Sequence, residues 1–177
     1  MSSIRQCWCG NADLKGFSPR YRRCEVCETL VARELPDSDM ARVDADEAHF
    51  YGREYWLSYQ EKELGLPGIA DRTRSDLYDR CPLWLQTLLK YRHPPATVLE
   101  LGSGTGSFAF LMRSVGFDVT GLELSPWLAD YIQNTYNVPM RVGPIEDQDL
   151  VAGAFDAIVM MDVLEHLDDP LLTLQRC

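Results

Sequence analysis

Seven residues, Glu100-Leu101-Gly102-Ser103-Gly104-Thr105-Gly106, constrain this chain more than any others. They follow a short apolar run, Thr97 to Leu101, and open a segment of helical periodicity, Phe108 to Val115, that Gly116 closes. Glycines at alternate positions between a strand and a helix let the backbone turn tightly and let a ligand approach it closely. The pattern then continues with a strand over Asp118 to Leu122, a helix over Pro126 to Tyr136 and a weak strand over Met140 to Val142. A strong strand over Phe155 to Met161 and a further helix from Pro170 follow. Such alternation predicts an α/β fold, a Rossmann-like parallel sheet with helices on both faces.

The glycines do not choose a ligand, because Gly104-x-Gly106-x-x-Ala109 also satisfies a loose dinucleotide pattern. Two acids narrow the choice. Glu123 ends the second strand, where a carboxylate can accept hydrogen bonds from both hydroxyls of a ribose. Glu100 stands directly before the glycines, where it would repel a dinucleotide pyrophosphate and attract a cation. S-adenosylmethionine carries an ammonium and a sulfonium and no phosphate, so the charges favour it over NAD.

The run Val98 to Gly106 resembles motif I of the class I S-adenosylmethionine-dependent methyltransferases, and later landmarks of that family appear in order. Gly143-Pro144-Ile145-Glu146-Asp147 lies where the family has its adenine-contacting loop. Phe155 to Leu167, with Leu164-Glu165-His166, resembles its fourth strand and the loop after it. The resemblance implies that Glu100, Leu101, Gly102, Ser103, Gly104 and Gly106 hold the cofactor. It adds Glu123 and Leu124, then Ile145 and Glu146, and Met161 at the end of the fourth strand. His166 could serve as the general base toward an acceptor hydroxyl or could pack to close the pocket. Asp156 is expected to cap or orient the fourth strand, and Asp162 and Glu165 suit a solvated helix start. The family's fifth strand and final hairpin would lie beyond Cys177, so the chain is expected to be a C-terminally truncated, partial class I methyltransferase fold over residues 93–177.

Four of the six cysteines fall within the first 27 residues, as Cys7-x-Cys9-Gly10 and Cys24-x-x-Cys27. Without an export signal, such crowding points to metal rather than disulfides. Four thiolates suit a closed tetrahedral Zn²⁺ site, and the metal would supply folding free energy that a module over residues 1–35 cannot draw from apolar burial. Free buried cysteines are the simpler alternative. Bacterial methyltransferases with a small zinc-ribbon-like segment before the catalytic domain are similar, and many act on small or sugar-derived metabolites. RNA methyltransferases with an N-terminal finger usually have a histidine in it, which is absent between Cys7 and Cys27.

Charge bears on the partner. The chain carries −10 overall, but residues up to Leu35 hold six basic and four acidic side chains, leaving the body at −12. A body this acidic repels a phosphate backbone, so a small-molecule acceptor is expected and nucleic acid is not. No stretch approaches the roughly 18 apolar residues that span a bilayer, and the expected location is cytoplasmic. Residues 36–92 read as an acidic linker followed by a lead-in with an aromatic cluster, Phe50-Tyr51 and Tyr55-Trp56, and helical spacing between Thr73 and Tyr91 that Pro82 divides or starts. The aromatics suit packing between modules, and by resemblance Tyr51 or Tyr55 could contact the cofactor. A binding module built on a degenerate methyltransferase fold is the reading from a different class. The oligomeric state is not legible.

Overall fold

The computed structural model describes residues 6–33, 51–167 and 170–177. Its larger sheet is built around β4 (Thr97–Leu101), whose residues Val98, Leu99, Glu100 and Leu101 are all buried. A strand buried on both faces belongs at the centre of a parallel sheet. It pairs in parallel with β5 (Asp118–Glu123) on one side and β7 (Ala157–Met160) on the other, while β6 (Met140–Val142) extends the sheet beyond β5. The order is β6-β5-β4-β7. The chain adds β5 and β6 on one side of β4 and then returns to add β7 on the other, so the crevice at the C-terminal end of β4 lies at the topological switch point where such sheets bind ligands.

The connections follow local chemistry. α4 (Ser107–Ser114) begins at Gly106, in the left-handed region at φ 79°, and stops where Gly116 takes φ 101°. α5 (Pro126–Tyr136) is capped by Ser125, whose Oγ accepts the Leu128 N–H at 3.2 Å, and has Pro126 in its first turn. Asn137, at φ 54°, ends it. Phe108, Ala109 and Met112 of α4 and Leu128 and Ile132 of α5 pack on Val98 and Val119 in one core cluster. The opposite face buries Leu99, Leu101 and Leu122 against Ile145, from the short 3₁₀ turn Ile145–Asp147. Helix α6 (Pro170–Arg176) meets that turn, where the Thr173 hydroxyl donates to the Glu146 carboxylate. Both faces are therefore covered, the second by far less helix.

The lead-in joins the first core. Tyr55 and Trp56, on a wide helical turn that continues into α1 (Gln60–Lys62), are buried in it with Cys81 and Leu88. The helical spacing before the sheet resolves into α2 (Ile69–Tyr78) and α3 (Arg80–Leu88), with the break at Asp79. Pro82 sits in the first turn of α3, where a missing N–H costs no intrahelical bond. The acidic linker, Pro36 to Glu47, and Phe50 of the aromatic cluster lie outside the described residues. Asp156 does what its position predicts: its Oδ2 accepts from the Thr97 backbone N–H at 3.0 Å and from the Thr97 hydroxyl at 3.1 Å, tying the approach to β7 to the start of β4.

The N-terminal residues form a separate three-stranded antiparallel sheet, β1 (Leu14–Gly16), β2 (Tyr21–Cys24) and β3 (Leu30–Ala32). Its apolar core is Cys7, Cys24 and Val31 with Leu14 against them. So small a core needs a staple.

Two glycines of the loop should respond differently to a methyl group. A Cβ on Gly106 would stand 2.8 Å from two carbons of Ile132, whereas one on Gly104 meets nothing within 4 Å. Both have positive φ, so Gly104→Ala should cost about 1 kcal/mol from backbone strain alone. Gly106→Ala adds overpacking and should cost about 2–5 kcal/mol. Urea unfolding of the two variants measures this, and equal costs would contradict the packing.

Candidate cofactor site and metal centre

The glycine loop is tied to the neighbouring strand before any ligand is considered. The N–H groups of Gly102 and Ser103 donate to the Leu122 carbonyl at 2.8 and 3.3 Å. Gly102, Gly104 and Gly106 all adopt positive φ, at 68°, 52° and 79°. A Cβ on Gly102 would lie 2.5 Å from the Val163 side chain, so the segment after β7 closes directly over the loop. The loop from β4, the end of β5 and the segment after β7 thus converge on one crevice.

Glu123 organises that crevice through the backbone. Its Oε2 accepts from Gly104 N–H at 3.1 Å, and its Oε1 accepts from Leu124 N–H at 2.9 Å and Ser125 N–H at 3.3 Å. The carboxylate is held at the C-terminal end of β5, and its lone pairs can still accept from hydroxyl donors. Glu100 is 3% exposed, and its Oε2 has no hydrogen-bond partner. Burial pushes the Glu100 carboxyl up to about 8, with the Glu123 charge acting in the same direction. A buried carboxylate with an unused oxygen is a misfit in a finished core, and a cationic group at that oxygen would resolve it. The ammonium of S-adenosylmethionine fits this donor–acceptor set. A pyrophosphate does not, since it would face two carboxyl groups.

The other expected site residues are placed as follows. Leu124 is half-buried beside Glu123. Leu101 and Ile145 bury their side chains in the second core cluster. Glu146 is engaged with Thr173. Met161, half-buried, follows β7 and packs on the first cluster. His166 is exposed on a 3₁₀ turn, Leu164–His166, with its ring edge-on to Tyr51 at 6.0 Å.

A polar cluster beside the crevice was not legible in the sequence. Arg80 of α3 donates to Asp76 Oδ1 from Nε at 3.0 Å and from Nη2 at 2.8 Å, and its Nη1 donates to Asp162 Oδ2 at 2.5 Å. This clamp joins α2 and α3 to the segment after β7, where Asp162 takes φ 57°. The adjoining Cys81 Sγ reaches the Ser107 Oγ at the start of α4, at 3.5 Å, and burial raises its thiol to about 11. That thiol is packing rather than a nucleophile.

The four N-terminal cysteines come together. Their Sγ atoms all lie within 4.8 Å of one another, with Cys7 to Cys27 at 3.3 Å and Cys9 to Cys24 at 3.5 Å. Each knuckle turns on a left-handed residue, Gly10 at φ 83° and Glu28 at φ 64°. The Asn11 side-chain amide donates to Cys24 Sγ at 3.4 Å and lowers that thiol, while its hydrogen-bonded neighbour Cys9 is raised, so the cluster shares its protons unevenly. A tetrathiolate set with Cys7 and Cys24 buried fits a structural Zn²⁺ ion.

Comparison with known proteins bears on the family of the chain. Ubiquinone biosynthesis O-methyltransferase of Xanthomonas campestris pv. campestris is 36% identical over 92 residues, 48% of this chain and 38% of that protein. Its namesake in Xanthomonas axonopodis pv. citri is 31% identical over 115 residues, 61% of this chain and 48% of that protein. The chain thus spans less than half the length of these curated relatives. Among solved structures, a Galdieria sulphuraria protein assigned as a sarcosine dimethylglycine methyltransferase aligns with TM-score 0.50 at 25% identity, covering 55% of this chain and 41% of that one. An S-adenosylmethionine-dependent methyltransferase assigned in Methanococcus maripaludis aligns with TM-score 0.53 at 13% identity, covering 62% and 55%, a likeness of fold alone. A family profile described as a methyltransferase domain matches residues 73–177, from within α2 to the last residue of the chain. With motif, sheet order and profile in agreement, the chain belongs to the class I methyltransferase family.

Proposed function

We propose that the protein of which this chain is part transfers a methyl group from S-adenosylmethionine to a small-molecule acceptor. The observation that carries the reading is the buried Glu100 with its unpartnered oxygen, set against Glu123 across the glycine loop. Glu100 would hold the cofactor's ammonium, Glu123 its ribose hydroxyls, and the backbone of Gly102 to Gly106 would lie along it. Leu101, Leu124, Ile145, Glu146 and Met161 complete the proposed binding set, the first by backbone. When bound, the cofactor supplies an electrophilic methyl on a sulfonium. The protein's part is to align an acceptor nucleophile with it and exclude water, which lowers the barrier through proximity and orientation. His166 is the candidate base, edge-on to Tyr51. The activity for which the Xanthomonas relatives are named, O-methyl transfer in ubiquinone biosynthesis, supports a hydroxyl as the nucleophile.

Residues 1–35 we read as a zinc-stapled module, with 36–92 leading into the cofactor-binding part at 93–177. The acidic body favours a small acceptor over nucleic acid. No described helix is long and apolar enough to cross a membrane. Placement in the cytoplasm belongs to the proposal.

Calorimetry with S-adenosylmethionine tests the site. Glu123→Ala should weaken binding about 10- to 100-fold, the loss of charge-assisted hydrogen bonds to two hydroxyls. Undiminished affinity in that variant, with the fold intact, would remove Glu123 from the site.

Glu100 generates a pH prediction. Its folded-state value of about 8 lies above the ordinary 4.5, so between those limits the ligand-free folded chain holds a proton that the unfolded chain has released. Stability from this group is therefore greatest below pH 4.5 and falls as pH rises toward 8. A bound ammonium reverses the shift, so cofactor binding near neutral pH should release up to about one proton. Titration in buffers of different ionisation enthalpy reads this release, and Glu100→Gln should abolish it. Equal binding enthalpies in all buffers for the unmodified chain would contradict the account.

For the metal, elemental analysis should find about one zinc per chain, lost when Cys24 and Cys27 are both changed to serine. Metal-free protein with the ribbon folded would overturn the assignment.

A further inference from the structure

The polar cluster beside the crevice has a surplus of donors. Asp76 is the buried acid shared by two arginines, with its side chain 12% exposed. Arg80 takes its Oδ1 with two N–H groups and takes Asp162 as well, so its charge is met on both sides. Arg72 reaches the other oxygen, Asp76 Oδ2, only at 4.0 Å. Its remaining polar contact is a long one, from Nη1 to Gln60 Oε1 at 3.5 Å. The guanidinium lies over the Trp56 ring, 5.4 Å from its centroid, with its side chain 31% exposed. Five donors in a fixed fork are thus used sparingly.

Gln60 sharpens the imbalance. It is fully buried, at 0% exposure, and its Nε2 has no hydrogen-bond partner. Because Nε2 and Oε1 share one planar amide, the idle NH₂ stands next to the Arg72 guanidinium. A half-used cation and an unused buried donor side by side lack an acceptor that the described residues do not supply.

The cluster borders the proposed reaction centre. Burial raises the Tyr51 hydroxyl above its ordinary value and the Arg72 charge acts against that rise, and Tyr51 is the ring neighbour of His166. Tyr55, 4.9 Å from Tyr51 between ring centroids, continues an aromatic wall to Trp56. Through Arg80 and Asp162 the same network reaches Val163, which abuts Gly102.

We propose that Arg72 and Gln60 anchor an anionic oxygen group, a carboxylate or a phosphate ester, on the methyl acceptor, with Tyr51 and Tyr55 flanking it. Arg72 and Gln60 are positioning and specificity residues. The inference rests on the methyltransferase reading above and names the substrate class that this site takes. In a body of net charge −12, general attraction for anions is absent, so a preference for them must be local.

The full chain, loaded with S-adenosylhomocysteine, is titrated with benzoate, its neutral ester methyl benzoate, and phenyl phosphate. An oxyanion should bind at least about tenfold more tightly than the ester, the scale of one charge-assisted pair. Tighter benzoate assigns a carboxylate, and tighter phenyl phosphate assigns a phosphate ester. Arg72→Met, which keeps an apolar stem on Trp56, should erase the preference while S-adenosylhomocysteine affinity is unchanged. Gln60→Glu, which sets a carboxylate beside Arg72, should erase it too, and either variant serves if the other fails to fold. Equal binding of acid and ester, or a preference that survives either folded variant, overturns the anchor. Failure of S-adenosylhomocysteine to bind the unmodified chain would instead remove the methyltransferase reading beneath it.

Discussion

A carboxylic acid buried at the C-terminal end of the central strand is the constraint on which the site depends. Glu100 shares its face of β4 with Val98, so the alternation that drives Val98 into the core drives Glu100 toward the loop. A protein without a cation to place there would do better with an apolar residue at that position. The raised pKa is the measure of this tension, and the unpartnered oxygen shows where it would be relieved.

The contacts around Glu100 fix the shape of the crevice. The Leu122 carbonyl ties down the start of the loop, Glu123 ties down its middle, and Val163 packs over Gly102. The Asp76–Arg80–Asp162 clamp fixes the segment after β7 against α2 and α3. The glycine loop and the Arg80 clamp therefore meet through Val163, which follows Asp162 and packs over Gly102. In the proposed reaction, position rather than a strong acid or base would be the main source of catalysis. The ribbon, with its own core and four converging thiols, would on the proposed reading be stabilised by a different principle, metal ligation in place of apolar burial.

How far the sequence revealed this differs from element to element. α5 is expected over Pro126 to Tyr136 and found there, because Ser125, Pro126 and Asn137 carry local start and stop signals. β6 is likewise expected and found at Met140 to Val142. β7 is expected from Phe155 to Met161 but runs from Ala157 to Met160. Phe155 belongs to the core beneath the strand, and Asp156 is spent on Thr97, so apolar character extends beyond the hydrogen-bonded ladder. Glu100 and Glu123 stand out in sequence because acids beside glycines are chemically conspicuous. Arg72, Gln60 and Arg80 do not: Asp76 and Arg80 have the spacing of an ordinary surface pair on a helix, and Asp162 is 82 residues away from Arg80. Clusters made by tertiary contact leave no local signal.

In the proposed function, Glu100 and Glu123 receive the two polar ends of one cationic nucleoside. A crystal structure of the chain with S-adenosylhomocysteine tests it most directly. The account predicts the ligand's amino group within hydrogen-bond distance of Glu100 Oε2, and both ribose hydroxyls on the Glu123 carboxylate. A ligand bound elsewhere, or bound in this crevice with its amino group away from Glu100, would contradict it.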